Sequence, residues 1–321
     1  MKNPDRSATS WGRYAVYQLI RTFNCPGAML QTCQKMLGVV EDPLLAATSG
    51  LAAGVAGKGS SCGLVSGGAL GIALAYDQHM FAADTDAERT IVQLVRDYVE
   101  WFEVSYGSTR CDELSHVNFG VPIGLISYVL PGNRMLPCMK HISGSARFLH
   151  REICHRRPFA TPESSRSDGN THCARPVLQQ IRSSTAVGDP VLERASIVFD
   201  GGIGLKGGAC GALIAGILAV NLAMGRSLRS MSMPSAYAAL LAALMQIWST
   251  RTKQPDRALA AGNRLANDFE ARYGSIECQE ITGAAFTDWT AFQTHLCSSD
   301  RCRSAMDFVA AEAVRIISCE K

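Results

Sequence analysis

At 321 residues with 47% apolar side chains, the chain is long enough for two cores of roughly 150 residues each. A net charge of +3 is too small to neutralise a run of phosphates, which excludes nucleic-acid binding, and a charged fraction of 18% sits below the ~25% usual for soluble proteins, leaving room for a surface shared in a homo-oligomer. Twelve cysteines behind an N-terminus with no apolar leader point to a cytoplasmic, reducing setting, where so many thiols serve redox chemistry or ligation rather than stapling a scaffold.

Read in order, the chain is helical. Apolar periodicity predicts helices over 12–23, 28–39, 43–52, 62–76, 86–105 and 139–153, then over 174–184, 190–200, 210–224, 234–250, 255–273 and 303–318. Asp84, Thr85 and Asp86 supply an N-cap cluster, Pro234 and Pro255 suit first turns, and Gly107 and Gly274 read as C-caps. No alternating run reads as a strand. The uncharged stretch from Gly207 to Gly225 is crowded with Gly and Ala and lacks flanking aromatics, so it reads as a core helix and not a membrane span. Arg147, His150, Arg151, His155, Arg156 and Arg157 form a basic cluster read as a solvated helix end. Residues 158–172 are rich in turn formers and read as a linker between a first repeat, 1–157, and a second, 173–321.

The repeat rests on matched landmarks. Cys25 precedes Cys62 by 37 positions, and Cys173 precedes Cys210 by the same 37. Asp42-Pro43 answers Asp189-Pro190, and the run from Phe102 through Tyr106-Gly107-Ser108 to Cys111 and Glu113 answers Phe269 through Tyr273-Gly274-Ser275 to Cys278 and Glu280. Cys138 and Cys302 then open the last helix of each copy. The expected fold is all-α: two tandem helical bundles related by internal duplication.

Before Cys62 and Cys210 stand glycine turns carrying Lys58 and Lys206. A cysteine at the start of a helix meets unpaired N–H groups and the positive end of the dipole, which with a nearby lysine would favour the thiolate needed for exchange or ligation. Glu113 and Glu280 lie two places beyond Cys111 and Cys278 and could shuttle protons, although solvated surface carboxylates are the commoner case. Cys33, Cys154, Cys297 and Cys319 have no counterpart in the other copy and read as incidental. Glycines at 59, 63, 67 and 71, and small residues at 207, 211, 215, 219 and 223, leave grooves at which the two motif helices are expected to cross about a pseudo-twofold axis.

Sharper motifs fail. Gly202-Ile-Gly204-Leu-Lys-Gly207 fits a dinucleotide turn but has no acid about 20 residues on, Lys58 lacks the earlier glycine of a P-loop, and no C-x-x-C occurs. Cys138 and His141 have ligand spacing, but the other copy has Ala305 in place of the histidine.

The order Cys, glycine turn, Cys-Gly-x-x-x-Gly, Cys, Cys, written as Cys62-Gly-Leu-Val-Ser-Gly67 and Cys210-Gly-Ala-Leu-Ile-Ala-Gly216, resembles the C-GCAxxG-C-C family of redox-active proteins in two tandem units. The family's vicinal cysteine is replaced by Ser61 and Ala209. The resemblance implies redox activity. The leading expectation is thiol/disulfide cycling with a redox partner protein, with Cys62 and Cys210 attacking and Cys25, Cys111, Cys138, Cys173, Cys278 and Cys302 resolving. The same eight cysteines would be the metal ligands if each quartet held an iron–sulfur cluster, the runner-up reading, with Lys58, Gly59, Lys206 and Gly207 lining the bound cofactor. A helical assembly subunit without catalysis is the third.

Overall fold

The computed structural model describes residues 7–77, 85–119, 124, 127, 128, 134–154, 172–225, 227–231 and 257–319. The predicted helix over 234–250 and nearly all of the predicted linker lie outside the described residues. The first copy consists of α1 (Ala8–Thr22), α2 (Cys25–Leu37), α3 (Asp42–Thr48), α4 (Gly63–Ala75), α5 (Thr85–Tyr106), α6 (Cys111–Ser115) and α7 (Met135–Cys154). The second consists of α8 (Ala174–Thr185), α9 (Pro190–Ala195), α10 (Gly211–Met224), α11 (Arg257–Tyr273), α12 (Cys278–Thr282), α13 (Trp289–Ser298) and α14 (Asp300–Cys319). One-turn 3₁₀ segments, Ser49–Leu51 and Ser196–Phe199, follow α3 and α9. Among the described residues there is no strand beyond the isolated bridges Ser61–Arg110 and Ala209–Glu277. The protein is therefore all-α, two tandem helical bundles built by duplication.

Local chemistry sets the helix ends. Asn24 accepts from the Gly27 amide and caps α2, which has Pro26 in its first turn and ends at Gly38 with φ +71°. Asp189 caps α9 by accepting from Leu192, and Asp288 caps α13 through Ala291. Gly107 and Gly274 take φ +86° and +82° behind α5 and α11, each amide returning to the carbonyl of Glu103 or Glu270. Helices α4 and α10 carry no charge and are almost wholly apolar around their circumference, so all but their last turns are buried and they run through the middle of their bundles. Helices α2, α5 and α7 pack around α4, while α8, α11 and α14 pack around α10. Among the described residues no helix is long and apolar enough to cross a membrane.

The small-residue groove on α4 is used, but not for the expected crossing of α4 with α10. A Cβ on Gly67 would lie 2.4 Å from the Pro26 carbonyl oxygen, one on Gly63 2.5 Å from the Pro26 ring, and one on Gly71 2.5 Å from Cys33 Sγ, so the groove admits α2 of the same copy. The halves meet elsewhere, through α3 against α10 and through the glycine turns.

Those turns are left-handed. Ala53, Gly54, Val55, Ala56 and Gly57 run consecutively at φ between +52° and +81°, and Gly201, Gly202, Ile203, Gly204 and Leu205 repeat the run between +61° and +81°. Val55 and Ile203 are β-branched and buried, and for such residues a positive φ is a true outlier. Left-handed backbone costs roughly 1–2 kcal/mol at each non-glycine residue. The neighbouring bundle holds each turn in place. Asn263 on α11 donates to the Ala56 carbonyl at 2.8 Å, and Gly204 approaches α5 so closely that a Cβ would lie 2.8 Å from the Arg96 amide nitrogen.

Matching residues repeat this exchange across a pseudo-twofold axis. Lys58 pairs with Glu270 and Asn267 on α11, and Lys206 pairs with Glu103 (3.6 Å) and Glu100 (3.5 Å) at the same places on α5. On the axis equivalent positions meet each other: Ser61 Oγ accepts from the Ala209 amide at 2.9 Å, and Arg110 pairs with Glu277 at 2.9 Å.

Candidate thiol centres

Each centre sits where four chain segments of one copy converge. Cys25 opens α2, Cys62 caps α4, Cys111 opens α6 and Cys138 lies in the first turn of α7; Cys173, Cys210, Cys278 and Cys302 repeat this at α8, α10, α12 and α14. Short backbone ties fix the middle two. The Cys62 amide donates to the Thr109 carbonyl at 2.7 Å and the Cys111 amide to the Ser60 carbonyl at 2.7 Å; in the second copy Cys210 donates to Ile276 at 2.8 Å and Cys278 to Gly208 at 2.7 Å. The left-handed turn thus aligns the helix start bearing one cysteine with the segment bearing the next.

The quartets are gathered. Cys173, Cys210, Cys278 and Cys302 line one pocket, walled by Ile281, Phe286, Phe292, Leu296 and Met306. In the first copy the thiols lie close enough to disfavour one another's ionisation: burial raises Cys25 and Cys111 well above the ordinary thiol range, Cys138 and Cys62 add to the rise at Cys25, and Cys62, Cys25 and Cys138 add to it at Cys111. Eleven cysteines are described and all are free thiols; the side chain of Cys154 lies outside the described residues. Cys33 is a core residue, and Cys297 and Cys319 are exposed, away from the pocket they might have shared.

The activation expected for Cys62 and Cys210 is absent. Burial pushes Cys62 up to about 12 and Cys210 up to about 11, and the first-turn amides, of Leu64 and Val65 in one helix and Leu213 and Ala212 in the other, offset only part of that rise. Lys58 and Lys206 are taken up by carboxylates of the opposite bundle. Gly59 packs on Asp112 and Gly207 on Gln279, and Gly207 does not line the pocket of the second quartet. Glu113 is exposed and bound to Ser108 and Arg110, and Glu280 is exposed, so neither faces a thiol pocket. His141 packs against Tyr106 with ring centroids 4.2 Å apart and the rings tilted by 38°.

The two centres differ in their polar companions. In the first, the Tyr128 hydroxyl lies against Cys25 and Cys138 and lowers both thiols against the rise caused by burial. In the second, the Asp200 carboxylate, fully buried, accepts from the Cys173 amide at 2.9 Å and from Cys173 Sγ at 3.1 Å. His172 Nδ1 bonds the other Asp200 oxygen at 2.7 Å, His172 Nε2 bonds Glu88 of α5 at 3.1 Å, and Arg175 closes the row on Glu88 at 2.6 Å. Burial would lower the His172 imidazole, but the carboxylates of Asp200 and Glu88 outweigh it and hold it above its ordinary value. Burial raises Cys173, and the adjacent Asp200 charge raises it further, as a thiol donating to a carboxylate requires. Asp200 and His172 were missed by motif reading. Their signal is a departure between copies, since Ala52 and Asn24 occupy their places in the first.

Among the described residues no group of three or more His, Cys, Asp or Glu side chains is arranged to hold a metal ion.

The family model described as "Putative redox-active protein (C_GCAxxG_C_C)" matches residues 23–151 and 171–316. The chain belongs to this family. Both matched segments contain a whole quartet, so the chain carries the C_GCAxxG_C_C unit twice. No curated protein and no solved structure matches it.

Proposed function

We propose that the protein is a thiol/disulfide redox protein, cycling each quartet between free thiols and a disulfide in exchange with a redox partner in the cytoplasm. The observation that carries this reading is the gathering of four free cysteines from four separate segments around a single pocket. Their seclusion supports it too. Thiols held protonated by burial are slow to react with stray oxidants, because the thiolate is the reacting form. Attack is therefore favoured at the sulfur that has a proton acceptor beside it. In the proposed reaction a thiolate attacks one sulfur of an external disulfide and expels a thiolate, and a second cysteine of the quartet then attacks the mixed disulfide and expels the other half as a thiol. Two protein S–H groups and one disulfide become one protein disulfide and two thiols.

The test is stepwise oxidation of the reduced protein by a graded glutathione redox buffer, with the remaining thiols counted and disulfide-linked peptides assigned by mass spectrometry. Thiols should disappear in pairs, and the linked peptides should join members of one quartet. Pairing only through Cys297 or Cys319, or no oxidation in the buffer, would sink the reading. Anaerobically purified protein that is brown and contains stoichiometric iron and sulfide would replace it with the cluster reading.

A further inference from the structure

We propose that the second centre is where exchange begins, with Asp200 as its general base: Asp200 takes the proton of Cys173 as that sulfur attacks an external disulfide, and His172, held between Asp200 and Glu88, positions the carboxylate. This inference rests on the thiol/disulfide reading above and assigns its first step.

The geometry is a continuous row. Cys173 Sγ lies 3.1 Å from Asp200 Oδ1, Asp200 Oδ2 lies 2.7 Å from His172 Nδ1, and His172 Nε2 lies 3.1 Å from Glu88 Oε2. Both ring nitrogens face carboxylate oxygens, so the ring donates to both as an imidazolium and holds the Asp200 carboxylate in place beside the Cys173 thiol. When Cys173 gives its proton to Asp200, the ring stays an imidazolium that donates to both carboxyl groups, and the proton rests on Asp200 until the leaving sulfur takes it. Arg175, whose side chain is 22% exposed, binds the far oxygen of Glu88 and brings the row to the edge of solvent. The sulfur faces its quartet: a Cβ on Gly211, the residue after Cys210, would lie 2.8 Å from Cys173 Sγ. The thiols of Cys210 and Cys278 lie close enough to be felt at Cys173.

A structural anchor for Cys173 would need only the amide bond to Asp200 Oδ1. It would not need a fully buried carboxylate on the sulfur as well, nor a histidine and a second carboxylate behind it. The first copy shows how the anchoring alone is done. There Asn24 caps α2 through Gly27 and ties back to the Ser49 carbonyl at 3.0 Å, with no charge beside Cys25.

The balanced step is as follows. The Cys173 S–H proton goes to Asp200, Cys173 sulfur bonds to one sulfur of the disulfide, and the other leaves as a thiolate. That thiolate takes up the proton held on Asp200. Cys210 or Cys278 then displaces the second thiol, its own proton leaving with it.

The experiment uses the full reduced chain and bis(2-hydroxyethyl) disulfide, a small neutral oxidant. Samples are quenched in acid, and mixed disulfide is quantified separately on the peptides carrying Cys173 and Cys25. Cys173 should react first in the unaltered protein. Asp200→Asn, which keeps an acceptor for the Cys173 amide, should slow Cys173 about a hundredfold, the size of a general-base contribution, and leave Cys25 unchanged. An unchanged Cys173 rate, or equal changes at Cys173 and Cys25, overturns the proposal. Should Asp200→Asn fail to fold, Glu88→Gln cuts the row further out, and Cys173 alone should slow severalfold; no slowing overturns the proposal. If no cysteine of either quartet in the unaltered protein takes up the disulfide, the thiol/disulfide reading itself fails, an outcome distinct from equal reactivity at the two centres.

Discussion

The two copies share a backbone plan down to five consecutive left-handed residues, yet they differ in what surrounds the plan. The first is the tighter and more strained, with α2 lying on bare glycine at 67 where the second has Ala215, and with Ala53 and Ala56 left-handed where the second has Gly201 and Gly204. The second is the more polar, placing His172 and Asp200 beside its thiols where the first has Asn24 and Ala52. Duplication preserved the geometry that gathers sulfur, while the polar companions of the thiols and the local packing are free to differ.

The largest effect should come from closing the tight groove. Gly67→Leu would drive a side chain into the Pro26 backbone and should cost about 3 kcal/mol or more, whereas Ala215→Gly, at the matching place, should cost only about 1 kcal/mol through helix propensity; urea unfolding compares them. A similar loss in both would mean that the copies are equally close-packed.

Next in size is the charge row of the second copy. Burial alone would raise Glu88, but His172 and Arg175 hold it below the usual glutamate range, so its stabilisation is present above the unfolded value of about 4.3 and lost as the pH falls through the lower folded value. His172 works in the opposite sense. Its folded value is raised, so its stabilisation is present below about 6.5 and lost as the pH rises through the folded value. Glu88→Gln should cost about 2 kcal/mol near neutral pH and flatten the acid limb of the melting temperature against pH. An acid limb identical to that of the unaltered protein would show that Glu88 does not contribute to it.

Smaller again are the strained turns. Ala53→Gly should stabilise by about 0.5–1 kcal/mol, since relief of left-handed strain outweighs the added freedom of the unfolded chain, and Gly201→Ala should destabilise by about 1 kcal/mol or more; thermal melts with opposite signs are the expected result. The smallest effect belongs to the ion pair on the axis. Arg110 is more than a third exposed, so Arg110→Ala should cost at most about 1 kcal/mol, and a double-mutant cycle with Glu277→Ala measures the pair itself.

Much of this was legible in the sequence because it is carried by spacing. The repeated cysteine intervals gave the quartets, and the uncharged runs gave the buried helices α4 and α10. What escaped has physical reasons. Helices α6 and α12 are five residues long, too short to show a period. Glycine density marks a turn without giving its hand, and no propensity places Val55 or Ile203 at positive φ, because tertiary packing imposes it. Lys58 and Lys206 were expected beside sulfur because sequence proximity says nothing of where a long side chain finds a carboxylate, and both find one across the axis. Asp200 lay inside a predicted helix over 190–200, whereas the chain leaves the 3₁₀ segment at that residue and turns its carboxylate toward Cys173.

The reciprocal seating of the two turns makes each bundle the mould in which the other's least comfortable backbone is cast. A chain cut between the copies would not yield two smaller working units, because each would keep its sulfurs and lose the wall that braces the loop aligning them. Mixing the separately made halves should therefore restore what neither has alone.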